Sequence, residues 1–140
     1  AGVFAQLVLV PAVSWPILRL TGSTEDDLSE TARTIIDKAA SPAGVVLLFA
    51  VVAIGAPIVE ELFYRGLLMG AMEKRWATGL AVVGSSVLFG ASHFEMLLFP
   101  GLFTAGLVFA LARVVSGRLG PAIVAHMAFN ATTIVVLLAT

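Results

Sequence analysis

Three charged residues stand together inside a long apolar segment, and they constrain the possible folds of this chain more than any other feature. Residues 43–70 begin with 17 uncharged positions, after which Glu60, Glu61 and Arg65 follow in quick succession. About 20 apolar residues are enough to cross a bilayer. Each charge within such a span costs roughly 2.5–3.5 kcal/mol, so charges persist there when they pair, face a protein interior or take part in chemistry. The segment is therefore predicted to be a membrane span that carries a functional site.

The composition of the whole chain also favours a membrane protein. Hydrophobic residues make up 59% and charged residues 12% of the 140 positions, and the mean hydropathy is +1.04. Soluble domains have roughly 45–50% apolar and about 25% charged residues. The net charge of −1 offers no basic surface for nucleic acid, so no nucleic-acid partner is expected. The absence of cysteine excludes disulfides, thiol nucleophiles and cysteine metal sites.

Five apolar runs are candidates for membrane-spanning helices, which predicts an all-α, polytopic transmembrane helix bundle. An acidic polar stretch at 21–41 separates the first run from the others and is predicted to be a solvated surface helix or loop, capped by Ser23 or Thr24. We expect residues 1–42 to form an N-terminal span with this loop, and residues 43–140 to form the functional core. The five runs are 2–20, 43–72, 79–99, 102–115 and 121–139.

The distribution of basic residues predicts how the spans are oriented. Lys74 and Arg75 follow the second run, and Arg113 and Arg118 follow the fourth. Cytoplasmic loops are enriched in such residues, so these two loops are expected on the cytoplasmic side. The N-terminus would then lie inside, with the acidic stretch and the C-terminus outside.

The spacing of the charged residues in the second run separates the roles of the two glutamates. Glu61 and Arg65 are four positions apart with the acid first, which is the favourable order for an ion pair on a helix. Glu60 points roughly 100° away around the helix and is left without that partner. A carboxylate in a low-dielectric site is suited to act as a general base or acid near neutral pH.

The two histidines of the chain lie in other apolar runs, and each has a four-residue partner. Phe89 and His93 are predicted to share one face of the third helix, and His126 and Asn130 one face of the fifth. An imidazole beside a carboxamide can supply two donors to an oxyanion. Together with the carboxylate of Glu60, these groups are sufficient for amide hydrolysis without a serine or cysteine nucleophile.

Three motifs occur in order on three apolar helices: EExxxR at 60–65, FxxxH at 89–93 and HxxxN at 126–130. Together they resemble the CPBP family, the CAAX-protease and bacteriocin-processing intramembrane glutamic endopeptidases, over residues 43–138, where four spans would form the protease core. The resemblance implies that Glu60 and His93 activate a water molecule. It also implies that His126 and Asn130 stabilise the oxyanion. The remaining motif residues would support the site: Glu61, Arg65 and Phe89.

The resemblance predicts an intramembrane endopeptidase that uses neither a metal ion nor another cofactor. Its partners would be the lipid bilayer and a peptide or protein substrate, including a membrane-anchored one. CAAX-type processing and bacteriocin- or immunity-related processing both fit the family. A bacterial or archaeal cell membrane is the expected location.

Three other classes of protein remain as alternatives. A metal-dependent membrane hydrolase could use the two glutamates and two histidines as ligands, although there is no HExxH motif. A proton-coupled transporter could use the same groups as a relay, but transporters usually contain internal repeats, and none is visible here. A non-catalytic membrane immunity or scaffold protein could retain the motifs as a relic.

Overall fold

The chain folds into a bundle of helices, as the sequence predicts. A computed structural model describes residues 1–39 and 41–139, apart from the side chain of Glu25, and this part of the chain contains helices and no strand. The helices are α1 (Gly2–Thr21), α2 (Glu25–Lys38), α3 (Pro42–Glu73), α4 (Thr78–Ala91), α5 (Phe99–Ser116) and α6 (Gly120–Ala139).

Four of these helices, α1, α3, α5 and α6, are long and apolar enough to cross a membrane. The longest is α3, whose 32 residues extend about 48 Å and exceed the roughly 30 Å of a bilayer core. Their outer surfaces carry large exposed apolar side chains, as lipid-facing helices do. The remaining core helix, α4, is shorter.

The third predicted span, 79–99, extends less far than the sequence suggested. Helix α4 has 14 residues and rises about 21 Å, so it ends part-way through the bundle. Pro100, which directly follows the predicted span, lies in the first turn of α5. Proline is tolerated there because the first turn of a helix does not need its N–H group. Residues 92–98 connect the two helices, and Phe94 in this connection has a positive φ of 57°.

Helix α3 changes its winding on both sides of the two glutamates. Two π-helical segments, Ala50–Gly55 and Leu62–Leu68, flank the α-helical turns of Ala56–Glu61. In the first segment the N–H of Ala56 bonds to the carbonyl of Val51, five residues back. The next bond of that register is missing because Pro57 has no N–H. Such π-helical segments often occur at functional sites.

Small residues allow α4 and α5 to approach closely. A Cβ atom at Gly106 would lie 3.2 Å from the Cα atom of Ser86, and one at Gly90 would lie 3.2 Å from the backbone nitrogen of Phe103. Small residues at such contacts are typical of helix packing in membranes. The close crossing also brings the backbone of α5 near the charged residues of α3.

Polar contacts connect helices at each end of the bundle. Glu73 and Arg113 form a 2.9 Å ion pair, so the loops after α3 and α5 lie at the same end, as predicted. The hydroxyl of Thr31 on α2 donates to Glu95 over 2.8 Å and links α2 to residues 92–98. Helix α2 is the predicted surface helix, and the side chain of Thr24 caps its N-terminus.

Candidate active site

The predicted ion pair on α3 is formed in the centre of the bundle. Arg65 Nη1 lies 2.7 Å from Glu61 Oε1, and both side chains are fully buried. Arg65 also donates from Nη2 to the backbone carbonyl of Gly106 on α5, over 2.8 Å. The guanidinium therefore connects α3 to α5. This contact depends on the close approach of the α5 backbone at Gly106.

The same oxygen of Glu61 has a second partner that the sequence did not predict. His126 Nδ1 lies 2.9 Å from Glu61 Oε1, and the histidine is buried. An ionised carboxylate can only accept a hydrogen bond, so Nδ1 is the ring nitrogen that carries the proton in this contact. The other ring nitrogen, Nε2, lies 3.9 Å from Glu60 Oε2. The imidazole of His126 therefore stands between the two adjacent glutamates.

Glu60 differs from Glu61 as the spacing predicted. Its side chain is 31% exposed, whereas that of Glu61 is inaccessible. Its Oε2 atom is nevertheless buried and has no hydrogen-bond partner among the described residues, which is also true of Glu61 Oε2 and Arg65 Nε. Buried polar atoms normally have a partner in protein or ordered water. The site thus combines a buried carboxylate that Arg65 neutralises with a partly exposed one that has no arginine partner.

Aromatic rings enclose the charged groups. The Phe89 ring lies 5.1 Å from that of His93 and 5.4 Å from that of His126, so it connects the two histidines. The guanidinium of Arg65 lies 4.6 Å from the centre of the same ring. On α5, Phe109 stacks on His126 with a centroid distance of 4.5 Å and an interplanar angle of 16°. Phe109 lies outside the three motifs and was missed in the sequence.

His93 occupies a different backbone position from the predicted one. It follows the end of α4 and is exposed, so it does not share a helical face with Phe89. Its Nδ1 atom lies 2.9 Å from the carbonyl oxygen of Phe89. Because a carbonyl only accepts, Nδ1 carries a proton in this contact, and in the neutral form of the ring Nε2 then has the lone pair.

Asn130 lies one helical turn after His126 but bonds to α3. Its Nδ2 atom donates to the carbonyl oxygen of Val52 over 2.8 Å. Val52 is the residue whose carbonyl would bond to position 57 in the π-helical register, where Pro57 offers no N–H. Asn130 therefore replaces a backbone hydrogen bond that Pro57 removes, a role that the sequence did not suggest.

Two apolar cavities lie against α6, and the smaller one reaches Asn130. The larger, about 460 Å³, lies between α1, α2, α5 and α6, and its walls include Gly101, Phe129 and Ala32. The smaller, about 190 Å³, shares Phe129 and Ala32 with it and is also lined by Asn130 and Val52. Apolar space therefore extends along α6 as far as a motif residue.

The other ligand class considered from the sequence was a metal ion. Within residues 1–39 and 41–139, no three or more His, Asp or Glu side chains form a group that could hold one. The cluster at the centre of the bundle instead places the guanidinium of Arg65 against Glu61, and a nearby positive charge opposes cation binding.

Comparison with known proteins gives one family and one curated relative. Residues 42–132 match the family described as "Type II CAAX prenyl endopeptidase Rce1-like". An "Uncharacterized 24.3 kDa protein" of Escherichia coli is 34% identical over 95 residues, which cover 64% of this chain and 43% of the relative. The chain thus spans less than half the length of that relative. No solved structure matches the present chain.

Proposed function

Because the chain belongs to the Rce1-like family of type II CAAX prenyl endopeptidases, a branch of the CPBP family, we propose that it hydrolyses peptide bonds by a glutamate-dependent mechanism. It is a multi-pass integral membrane protein, so the reaction would take place within the helix bundle. The observation that carries the proposal is Glu60, whose buried Oε2 lacks a hydrogen-bond partner among the described residues and faces His126. The neighbouring Glu61 is already neutralised by Arg65.

In this proposal Glu60 and His93 activate the attacking water. The water donates a hydrogen bond to Glu60 Oε2, which takes its proton as the water oxygen attacks the carbonyl carbon of the substrate. His93 Nε2, which keeps its lone pair, accepts the second hydrogen bond of the water and orients it. Glu60 then returns the proton to the leaving amine, so that a carboxylic acid and an amine are formed. A positioned base of this kind contributes typically 10²–10⁴-fold to a rate.

His126 and Asn130 are the proposed donors to the oxyanion. The ring of His126 is anchored through Nδ1 to Glu61, so Nε2 donates to the oxyanion in the imidazolium form, in which both ring nitrogens carry a proton. Asn130 uses one amide hydrogen on the Val52 carbonyl and has a second to offer. Both residues therefore combine anchoring with donation, which keeps the donors in place before the substrate arrives.

The proposed substrate is a peptide or protein with a membrane-anchored segment. The larger cavity is lined mainly by aliphatic and aromatic side chains and lies among spanning helices. Its volume of about 460 Å³ falls within the roughly 300–1,000 Å³ of ligand pockets. An apolar chain attached to the substrate could occupy this space and so hold the scissile bond near the site. CAAX-type processing fits such a substrate better than cleavage of a freely soluble peptide.

The experiment that tests the proposal compares peptide cleavage by the wild-type protein, Glu60→Gln and Glu73→Gln in liposomes. Both variants make the same isosteric change on α3, but Glu73 lies at the end of the bundle, paired with Arg113. Products are identified by mass spectrometry, using peptides with and without a C-terminal lipid. We expect the wild type and Glu73→Gln to cleave and Glu60→Gln to lose at least two orders of magnitude in rate.

Equal cleavage by Glu60→Gln would remove Glu60 from the mechanism. Cleavage that stops when a chelator is added, and returns with zinc, would favour the metal-dependent hydrolase instead. If the wild type cleaves none of the peptides, while a cellular effect persists in Glu60→Gln, the immunity or scaffold alternative is supported.

A further inference from the structure

Phe109 is buried beside the site, although it belongs to none of the three motifs. It is fully inaccessible and lies on α5, three residues after Gly106, whose carbonyl binds Arg65. Residues three apart lie on the same side of a helix, so Gly106 and Phe109 form one face of α5 against the site. Its ring contacts a histidine of the site as well as apolar side chains.

The ring of Phe109 lies nearly parallel to the imidazole of His126, 4.5 Å away at 16°. Its contacts with the other aromatic neighbours are edge-on: 6.0 Å at 81° to Phe89 and 5.7 Å at 82° to Phe129. The parallel contact is therefore specific to the histidine. It covers one face of the imidazole with a flat apolar surface.

Within the described residues, one hydrogen bond holds the ring of His126, from Nδ1 to Glu61. A single hydrogen bond at Nδ1 tolerates a range of angles, so it leaves the ring some rotation about the Cα–Cβ and Cβ–Cγ bonds. The plane of the ring decides whether Nε2 points toward Glu60, which lies 3.9 Å away. A flat neighbour against the ring face restricts this rotation in a way that a branched aliphatic side chain does not.

We propose that Phe109 is a positioning residue, whose ring holds the His126 imidazole in the plane that directs Nδ1 to Glu61 and Nε2 to Glu60. This inference rests on the proposed function of the same site. Phe109 touches neither water nor substrate in this proposal and acts only through His126. Loss of the ring should therefore reduce kcat and leave KM nearly unchanged, because substrate binding does not depend on it.

The test replaces Phe109 by leucine and by methionine, which keep an apolar side chain without the flat ring. The matched control is Phe103→Leu, which also removes a stacked ring from α5, but one whose partner is Phe99. We expect kcat of both Phe109 variants to fall roughly tenfold to a hundredfold on the cleaved peptide, as for a displaced catalytic group. Phe103→Leu should retain the wild-type kcat.

A second readout does not require activity. The chain has two histidines, so ¹⁵N spectra of the imidazoles contain two sets of signals, and His93→Gln assigns them. Wild-type His126 should show a single species with a protonated Nδ1. Both Phe109 variants should show an additional tautomer or exchange broadening at His126, and Phe103→Leu should not.

A wild-type His126 spectrum in a folded Phe109 variant would overturn the proposal, as would equal kcat losses in the Phe109 variants and Phe103→Leu. Loss of the fold in both Phe109 variants would assign the residue to packing alone and also overturn it. An inactive wild-type protein whose His126 spectrum still depends on Phe109 would contradict the proposed function while supporting the positioning role.

Discussion

Two glutamates of helix α3 each pair with an arginine, and the two pairs differ far more in their surroundings than in their geometry. Glu61 and Arg65 are 2.7 Å apart and fully buried. Glu73 and Arg113 are 2.9 Å apart, but their side chains remain 26% and 23% exposed. Distance alone would rank the two pairs as equivalent.

The number of partners separates the two pairs. The buried carboxylate is shared between Arg65 and His126, and Arg65 also binds the Gly106 carbonyl, so removing one group leaves several others unsatisfied. At the partly exposed pair of Glu73 and Arg113, water can take the place of a partner that is removed. Exposed pairs contribute about 0–1 kcal/mol, whereas breaking a buried one costs about 3–5 kcal/mol. Burial, and not the distance between the charged atoms, therefore determines how much stability is lost when a pair is broken.

The largest expected effect comes from Arg65→Met, which leaves the Glu61 carboxylate buried without its cation. We expect a loss of about 3–5 kcal/mol in the free energy of unfolding, together with loss of any activity. Reversible unfolding in mixed micelles measures the change. The double variant Arg65→Met with Glu61→Gln removes both charges and should recover much of the stability, but not the activity.

An Arg65→Met protein with wild-type stability would show that the central pair is solvated, and the contrast with Glu73–Arg113 would disappear. A double variant no more stable than the single one would instead assign the loss to the packing of the arginine side chain against Phe89 and Phe109.

A smaller effect is expected at Asn130, where the polar group to be satisfied is a neutral backbone carbonyl. Asn130→Leu leaves the Val52 carbonyl without its donor, which should cost about 1–3 kcal/mol. Pro57→Ala supplies a backbone N–H at the position where the donor is missing. The double variant should therefore be less destabilised than the sum of the two single changes, as a double-mutant cycle of unfolding free energies would measure.

Additive effects of Asn130→Leu and Pro57→Ala would contradict the proposed exchange of donors. The same series also separates structure from chemistry, because the double variant restores the carbonyl bond but lacks the proposed oxyanion donor. It should be stable and inactive. A stable, active double variant would remove Asn130 from the mechanism.

The features that the sequence predicted correctly are those that a single helix determines. The Glu61–Arg65 pair follows from a spacing of four, and the lack of an arginine partner at Glu60 follows from its angle to Glu61 on the helix. The membrane-spanning character of α3 follows from 17 uncharged residues in a row. These properties depend on neighbours along the chain, which the sequence shows directly.

The features that it missed depend on contacts between helices. His126 and Glu61 are 65 positions apart, and Asn130 and Val52 are 78 apart. Periodicity indicates which face of a helix is buried but not which residue it meets. Phe109 offered no signal, because one phenylalanine in an apolar run looks like any other. The early end of α4 was missed because residues 96–99 are again entirely apolar and seemed to continue the span.

A weak effect is expected at the partly exposed pair of Glu73 and Arg113, which serves as the reference for the central one. Glu73→Gln and Arg113→Met should each change the free energy of unfolding by about 0–1 kcal/mol. The difference from wild type should shrink further at high salt, since mobile ions screen exposed charges. Measurements at low and high salt in the same micelles test this. A salt-insensitive loss of several kcal/mol would mean that this pair, too, is shielded from water.

The smallest effect is expected at Asp27 on α2, an exposed acid outside the membrane-spanning segments. The backbone N–H and the hydroxyl of Thr24 both donate to its carboxylate, and these bonds hold the pKa of Asp27 below its ordinary value of 3.8. A carboxylate with a lowered folded-state pKa stabilises the fold fully above its unfolded pKa, and loses that contribution as the pH falls through the folded value. Fraying of α2 should therefore increase below about pH 3.8. Hydrogen exchange of the α2 amides across this range measures it, and Asp27→Asn should remove the pH dependence. If fraying depends on pH equally in the wild type and in Asp27→Asn, the pH dependence belongs to another acid of α2. The carboxylate of Asp27 would then make no pH-dependent contribution to the stability of the helix.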